Sequence, residues 1–469
     1  MHFSSCVSEL AILIAWLMQP TKISDVIAAA GGELVSGDKE GQATGVSTDT
    51  RTIRAGDLFF ALIGENADGH DYVRAAMEKG AAAAVVSRPV EAEGTVISVP
   101  DTLAALGDLA AWYRRQFNVR AVAVTGSVGK TTTKEMIAAV LARRFRVLKN
   151  EGNYNNEIGV PLTVLQLGPE HQILVQELAM RLPGEIAELA EIVRPDIGVI
   201  TNVGLSHIER LGTQDRIAAA KAELLEALQP EGLAVLNADD PYFGYLAGKS
   251  RGDVIAFGAT AGDIRGEDVK VDGDGRPSFT VAVGQTRFAV KLPLVGEHNV
   301  PNALAAVAVG LSFGVPTGEI VRALEEFSPP EKRANVLNSL GGWRIFDDTY
   351  NASPASMMSA LRTLAAMSGR RRIAVLGDMR ELGDVADRAH LEVGRVAAES
   401  GLSVLVTVGE LGRRIADGAR EAGFARSIEE YRTSEEAAVA LKEEVRPGDV
   451  VLVKGSRAMK MENVVEALG

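Results

Sequence analysis

The sequence predicts an α/β protein of three domains, and three observations carry that prediction. Buried-strand runs such as Val119–Thr125 and Arg372–Leu376 alternate with helical stretches, the pattern of parallel sheets flanked by helices. The 469 residues exceed the ~100–200 that one hydrophobic core usually serves. A paired-proline segment, Ser328-Pro329-Pro330-Glu331-Lys332-Arg333, has the composition of a stiff linker. The expected order is an extension over 1–20, a small α/β domain over 21–100, a central parallel-sheet domain over 101–330 and a Rossmann-like domain over 331–469.

Each element follows from local pattern. After Pro20, a helix is expected at Ile23–Ala30, then an apolar segment at Asp57–Ile63, a helix at Tyr72–Lys79 and an apolar run at Ala81–Val86. Asp101 is an N-cap candidate for a helix reaching Gln116. Strand candidates continue at Ile173–Gln176, Ile197–Thr201, Leu233–Asn237 and Val254–Gly258. Residues 264–292, with Gly-Asp-Gly turns and alternating polarity, suggest a short antiparallel insertion before helix returns over Pro293–Phe327. Beyond the linker, strands at Trp343–Phe346, Arg372–Leu376, Ser403–Val408 and Val450–Lys454 alternate with helices near Ala355–Ala366, Asp387–Glu399, Ser434–Glu444 and Met459–Leu468.

Composition narrows the function. Hydrophobic residues make up 46% and charged residues 24%, average for a globular chain, which excludes disorder. Lys and Arg number 49 against 62 Asp and Glu, a net charge of −13, with no basic stripe for a nucleic acid. An anionic ligand must then be held locally, by backbone amides, a few basic side chains and a metal ion. The single cysteine, Cys6, excludes an intrachain disulfide and a Cys-rich zinc site, so a cytoplasmic protein is expected. The apolar stretch Ala11–Met18 follows Glu9 and is far short of the ~20 residues that span a bilayer. It also lacks a basic n-region and a cleavage pattern. A helical extension, or a start placed too early, is expected there ahead of peripheral membrane contact.

The chemistry concentrates in Gly126-Ser127-Val128-Gly129-Lys130-Thr131-Thr132, which directly follows a strand and opens a helix. Backbone amides converge there at the positive end of the helix dipole, a geometry that suits a triphosphate. Lys130 would reach the outer phosphates and the Thr131 hydroxyl would ligate Mg²⁺. Val124 and Thr125 stand where the usual phosphate loop has its first glycine. Glu177 at a strand end and His207 past the next strand fall on the same sheet edge if the strands are parallel. Lys221, inside a helix over 214–228, reads from its residue type as a solvated surface charge.

Six segments in one order resemble the Mur ligases: Thr125–Thr132, Asn153–Pro161, Glu177, Asn202–His207, Lys221-Ala222-Glu223 and Gly296–Asn302. The resemblance covers roughly residues 21 to 469. It implies ATP-dependent amide formation in bacterial cell-wall precursor synthesis. Three domains would act in turn: a substrate domain for the uridine nucleotide, a P-loop ATPase domain and a ligase domain. Within the family the chain is similar to members that join D-alanyl-D-alanine to a UDP-N-acetylmuramoyl-tripeptide. Asn153-Tyr154-Asn155-Asn156, Asp347–Pro354, Leu376–Gly383 and Val453–Arg457 carry that similarity, and the chain lacks an Asp-Asn-Pro-Arg motif. Glu177-Leu178-Ala179 departs from the common Glu-x-Gly.

Position by position, the resemblance implies Glu177 and His207 as magnesium ligands with Thr131, and Lys221 as a lysine carried as a carbamate. Asn299 and Asn302 would lie near the adenine, and Arg333 and Asp348 would reach the ATP phosphates and ribose. Asn155 and Asn156 would face the muramoyl peptide. Asp49 and Arg51 would face the uridine diphosphate, with a local Asx-turn and ion pair as the alternative. Asn351 and Ser353 would contact the dipeptide, and Arg380, Lys454 and Arg457 its carboxylate or helix ends. The expected cofactors are ATP and Mg²⁺, and the expected state is a monomer with small-molecule substrates, no nucleic acid and no membrane span. A Mur-type ligase adding the third residue or a folylpolyglutamate-type enzyme would share the chemistry and differ in substrate. A P-loop kinase or nucleotide switch would share the loop without needing a third domain, and a scaffold would leave the site residues without purpose.

Overall fold

The computed structural model describes residues 17–329 and 331–469, and the chain packs as two compact units. One holds the residues through 123 with 145–179 and 187–195; the other holds 124–144, 180–186 and 196–469. Residues 1–16 of the expected 1–20 extension lie outside the described residues.

The first unit is built on a six-stranded sheet. Its interior strands Gln42–Ser47, Asp57–Phe60, Ala83–Val86 and Val96–Ser98 pair in parallel. Asp57–Phe60 and Ala83–Val86 are buried along their whole length, which is why they read as continuous apolar runs rather than alternating ones. The edges are antiparallel, Leu17–Lys22 on one side and Glu33–Ser36 on the other. Residues 17 and 18 are therefore strand rather than the helix expected through Met18, and Pro20 is accommodated because the strand is an edge. The helix Thr102–Arg114 starts where expected, with the Asp101 carboxylate accepting from the amides of Leu103 and Ala104. Arg114 at its end is buried, and its guanidinium donates to the carbonyls of Val193, Phe117 and Val119. Strand Ile173–Glu177 runs parallel to Val147–Lys149 and carries Glu177 at its carboxyl end.

In the second unit, strands Ile197–Ile200, Leu233–Asn237 and Asp253–Gly258 are parallel. They continue into the three strands of the expected insertion, Ile264–Val271, Pro277–Val283 and Thr286–Lys291, paired antiparallel to one another. Helix Asn299–Ser312 is apolar nearly all round and packs on Lys130–Leu141. Gly310 lets the two approach, since a Cβ there would sit 2.6 Å from Val140.

The last six strands form one sheet in the order Asn335–Asn338, Arg344–Asp348, Val450–Lys454, Arg372–Gly377, Val404–Val408, Ser427–Tyr431. Only Asn335–Asn338 is antiparallel. Both faces are covered by apolar clusters, one around Phe346, Leu361 and Leu405, the other around Ile345, Val406 and Met461. Helix Gly412–Glu421 and strand Ser427–Tyr431 add to the expected elements. Val450–Lys454, last in the chain, is inserted between Arg344–Asp348 and Arg372–Gly377.

Candidate functional site

The phosphate loop is shaped by two glycines whose replacement has no room. At Gly126, φ +150°, a Cβ would lie 1.9 Å from Thr201 Oγ1; at Gly129, φ +87°, it would lie 2.5 Å from Asn302 Oδ1. The next strand end clamps the loop. Val128 N donates to Asn202 Oδ1 at 2.9 Å, Asn202 Nδ2 returns a bond to Val128 O at 2.8 Å, and Thr201 Oγ1 reaches the same carbonyl at 2.6 Å. Gly204 N donates to Ser127 Oγ at 2.8 Å. Helix Lys130–Leu141 then begins at Gly129 without a side-chain cap, and a helix N-terminus of this kind favours an anion. Lys130 arches back over the loop and donates to Gly126 O at 2.9 Å. Thr131 and Thr132 are buried in the first turn.

Asn299 and Asn302 are also buried, and their side chains are used inside the protein. Asn302 Oδ1 accepts from Thr133 Oγ1 at 3.1 Å, Asn302 Nδ2 donates to Asn299 Oδ1 at 3.0 Å, and Asn299 Nδ2 donates to Val295 O at 2.9 Å. This relay ties the helix after the insertion to the helix of the phosphate loop.

Lys221 overturns its residue-type reading. It lies on helix Gln214–Glu226, on the face that buries Ile217, Ala218, Leu224 and Leu225, and is 2% exposed. Burial, and then the charge of Lys130, push its ammonium well below the ordinary lysine range. His207 joins the same neighbourhood from a left-handed backbone, φ +64°. Its imidazolium is disfavoured first by burial, then by Lys130 and Lys221, while Glu381 opposes them. Glu381 Oε2 stands 2.7 Å from His207 Nδ1, yet not in line for a hydrogen bond, so Nδ1 has no aligned partner. The phosphate loop, Lys130, His207 and Lys221 belong to one unit, and the charge of Lys130 bears on both His207 and Lys221.

In the first unit, Glu177 is 1% exposed. Asn155 Nδ2 donates to Glu177 Oε1 at 2.8 Å, and Glu177 N donates to Asn150 Oδ1 at 2.8 Å, so the strand-end acid is held from both backbone and side chain. Asn156 Oδ1 accepts from Gly159 N at 3.0 Å and steadies the start of helix Gly159–Val164. Asp49 and Arg51 form the local alternative: Arg51 N donates to Asp49 Oδ1 at 2.9 Å, and the guanidinium pairs with the carboxylate at 2.6 Å. The Arg51 hydrogen bond holds the Asp49 carboxyl below its usual range. Asp68, His70 and Ser87 mimic a nucleophile relay, with His70 Nδ1 2.6 Å from Asp68 Oδ1. The Ser87 amide donates to His70 Nε2 at 2.9 Å, and that lone pair is therefore not available to activate the Ser87 hydroxyl.

Beyond the linker, the Arg333 guanidinium stacks 3.7 Å over the Tyr350 ring. Asp348 Oδ2 accepts from Lys454 Nζ at 2.5 Å, and the same ammonium donates to Asn351 O at 2.9 Å. Lys454 is therefore committed inside the fold and is not a free carboxylate partner. Ser353 caps helix Pro354–Ala366 in a reciprocal capping box with Ser356. Arg457 pairs with Glu462 at 2.6 Å. Arg380 remains outward, its amide on Ser456 Oγ and its guanidinium 3.5 Å from Asp378.

Among the described residues no cluster of three or more His, Cys, Asp or Glu side chains makes a ready metal cage. The Thr131 hydroxyl, buried in the first helical turn, is an oxygen donor of the kind Mg²⁺ takes beside substrate phosphates.

Three family models match the chain: "Mur ligase family, catalytic domain" over residues 42–114, "Mur ligase middle domain" over 124–310, and "Mur ligase, glutamate ligase domain" over 332–457. The UDP-N-acetylmuramoyl-tripeptide–D-alanyl-D-alanine ligase of Bacillus subtilis is 38% identical, covering 90% of this chain and 93% of the relative. The enzyme of that name from Synechocystis is 40% identical, covering 90% and 91%. Among solved structures, MurF from Acinetobacter baumannii superposes with a TM-score of 0.89 at 34% identity, covering 96% of this chain and 99% of that one. MurF of Thermotoga maritima in complex with ADP does so at 0.80 and 32% identity, covering 90% and 96%.

Proposed function

Because the chain belongs to the Mur ligase family, we propose that it joins D-alanyl-D-alanine to a UDP-N-acetylmuramoyl-tripeptide at the expense of ATP. The observation that carries this reading is the glycine loop, clamped by Asn202 at the start of helix Lys130–Leu141, with the buried Lys221 in the same unit. The reaction has two parts. An oxygen of the tripeptide's terminal carboxylate forms a bond to the γ-phosphorus as the bond to the β,γ-bridging oxygen breaks, giving an acyl phosphate and ADP. The dipeptide amine then adds to the acyl carbon, loses a proton, and the tetrahedral intermediate expels phosphate.

Two anions must approach in the first part, so charge compensation is the main task. Lys130 and the loop amides hold the β- and γ-phosphates and offset their charge, and the rigid Asn202 clamp keeps those donors in place without reorganisation. Mg²⁺, when bound, would supply further charge neutralisation. Thr131 and His207, and by the family resemblance Glu177, would hold it. Lys221 is suited to carry a carbamate: burial and the charge of Lys130 favour its neutral amine, whose nitrogen bonds to the carbon of CO₂ as one C–O π bond breaks and a proton passes to solvent, leaving an anion compatible with a metal site. Asn155 fixes Glu177 rather than reaching out alone, so its effect on the muramoyl peptide would run through that acid.

The small N-terminal domain would take the uridine nucleotide, the central one ATP and the C-terminal one the dipeptide, whose carboxylate Arg380 would receive. No described helix is long and apolar enough to cross a membrane. A cytoplasmic monomer with small-molecule substrates accords with this chemistry. Positional isotope exchange tests the acyl phosphate: with nucleotide tripeptide present and dipeptide absent, ¹⁸O in the β,γ-bridge of ATP should scramble, whereas absence of scrambling together with normal turnover would overturn the stepwise route.

A further inference from the structure

His207 and Glu381 are both non-glycine residues in the left-handed backbone region, at φ +64° and +62°, and they touch each other at 2.7 Å. That conformation is disfavoured for any residue with a Cβ and persists where the surroundings demand it, often at functional sites. Here it occurs on both sides of one contact. The loop carrying Glu381 follows strand Arg372–Gly377 and is seated on the turn after His207. Glu209 N donates to Glu381 O at 3.4 Å, and Gly383, φ +50°, lies so close that a Cβ would come 3.2 Å from Glu209 Cα. Ile208 packs into the apolar cluster of the C-terminal module. The contact is thus part of a docked surface rather than a chance meeting of two flexible side chains.

We propose that Glu381 is a positioning residue for His207. Its carboxylate is the acceptor within reach of Nδ1, and a bond there makes Nδ1 the protonated nitrogen and leaves the lone pair on Nε2. A carboxylate behind a ligating histidine fixes tautomer and ring orientation and raises the basicity of the ligand. One consequence is that seating of the C-terminal loop and preparation of His207 become a single event. The inference rests on the proposed role of His207 toward a nucleotide-bound divalent cation. It assigns to the Leu376–Gly383 segment a task at the ATP end of the site.

The test uses the full-length enzyme, Mn²⁺ as probe with ATP, and two variants. Glu381→Gly removes the carboxylate and tolerates the left-handed backbone; Glu381→Gln removes the charge and keeps an acceptor. Mn²⁺ binding to the enzyme–ATP complex is followed by electron paramagnetic resonance, ATP binding without metal by calorimetry, and the His207 tautomer by ¹⁵N NMR. Glu381→Gly should need about 10–100-fold more Mn²⁺ for half-saturation, with metal-free ATP affinity unchanged and the His207 nitrogens shifted toward a mixture of tautomers. Glu381→Gln should fall between Glu381→Gly and the parent. Parent-like Mn²⁺ response and parent-like nitrogen shifts in a folded Glu381→Gly would overturn the proposal, and if that variant does not fold, the same result in Glu381→Gln would do so. Failure of Mn²⁺ to perturb His207 in the parent would instead remove the metal-ligand assignment on which the inference stands.

Discussion

Lys221 is buried within reach of the charge of Lys130, and burial first, then that charge, weigh against an ammonium at Lys221. A buried ammonium facing another ammonium is costly, and the protein relieves the cost by favouring the neutral amine. Phosphates that compensate Lys130, and a carbamate that inverts the charge of Lys221, would turn the same arrangement into a stable one. Binding of nucleotide and modification of Lys221 are therefore expected to reinforce each other.

The first prediction follows directly. Enzyme equilibrated with ¹³C-bicarbonate should show a carbamate signal that Lys221→Ala lacks. Lys221→Ala should lose nearly all ligase activity and recover part of it with a small carboxylate such as formate or acetate. Undiminished activity in that variant without any additive would rule the carbamate out.

Lys130→Ala should abolish ATP turnover while leaving the circular dichroism and melting of the protein close to the parent's. Lys130 donates to Gly126 O at the surface of the loop, whereas the loop's shape is held by Asn202, Thr201 and the two glycines. A substantially active variant would contradict the phosphate-loop assignment.

Asp348 and Lys454 should behave as one unit. Lys454 is 3% exposed in its side chain, and removing its carboxylate leaves a buried charge uncompensated. Asp348→Asn is expected to lower unfolding free energy by about 3–5 kcal/mol, and Lys454→Met in the same chain to restore much of it. Urea titration of the two single variants and the double variant measures the coupling; additive losses would show that the pair is not interacting. The folded fraction of Asp348→Asn should also show a larger rise in KM for ATP than for the dipeptide, and the reverse would remove Asp348 from the nucleotide site.

How much of this was legible in the sequence depends on the kind of signal. The strand, glycine loop and helix through Arg120–Leu141 were readable because an apolar run, two glycines and a Lys-Thr pair each act locally. Lys221 was misread by residue type, although Ile217, Ala218, Leu224 and Leu225 at helical spacing already placed it on the apolar face. The Asn202 clamp lay inside a recognised segment, but a side chain that reaches across to another loop leaves no periodic trace. The resemblance implied Asn155, Asn156 and Ser353 as substrate contacts, and their hydrogen bonds with Glu177, Gly159 and Ser356 are visible only once the chain is folded. Nothing in a glutamate announces a left-handed backbone, so Glu381 was not a candidate at all. Strand Leu17–Lys22 was missed because an edge strand with a proline resembles the end of an apolar helix.

Alkaline pH offers a test of the first unit. Tyr113 donates to Leu167 O at 2.8 Å and accepts from Gln19 N at 2.8 Å, and burial raises its phenol from 10.0 to about 12. Between those values the unfolded chain has lost the proton that the folded chain keeps. The contribution is thus fully present below pH 10 and is lost as pH rises toward 12. Tyr113→Phe should cost about 1–3 kcal/mol at neutral pH through its lost hydrogen bonds. It should also flatten the fall in melting temperature across that alkaline window; an unchanged alkaline profile would mean that Tyr113 is not the group responsible.

The central claim is tested by phosphate release from ATP in the presence of UDP-N-acetylmuramoyl-tripeptide, with and without D-alanyl-D-alanine, together with the mass of the nucleotide product. Sustained release that requires both substrates, and a product heavier by the dipeptide less one water, is the result predicted here. Release that ignores D-alanyl-D-alanine but proceeds with a shorter nucleotide peptide and a free amino acid would contradict it and move the enzyme to a neighbouring ligation.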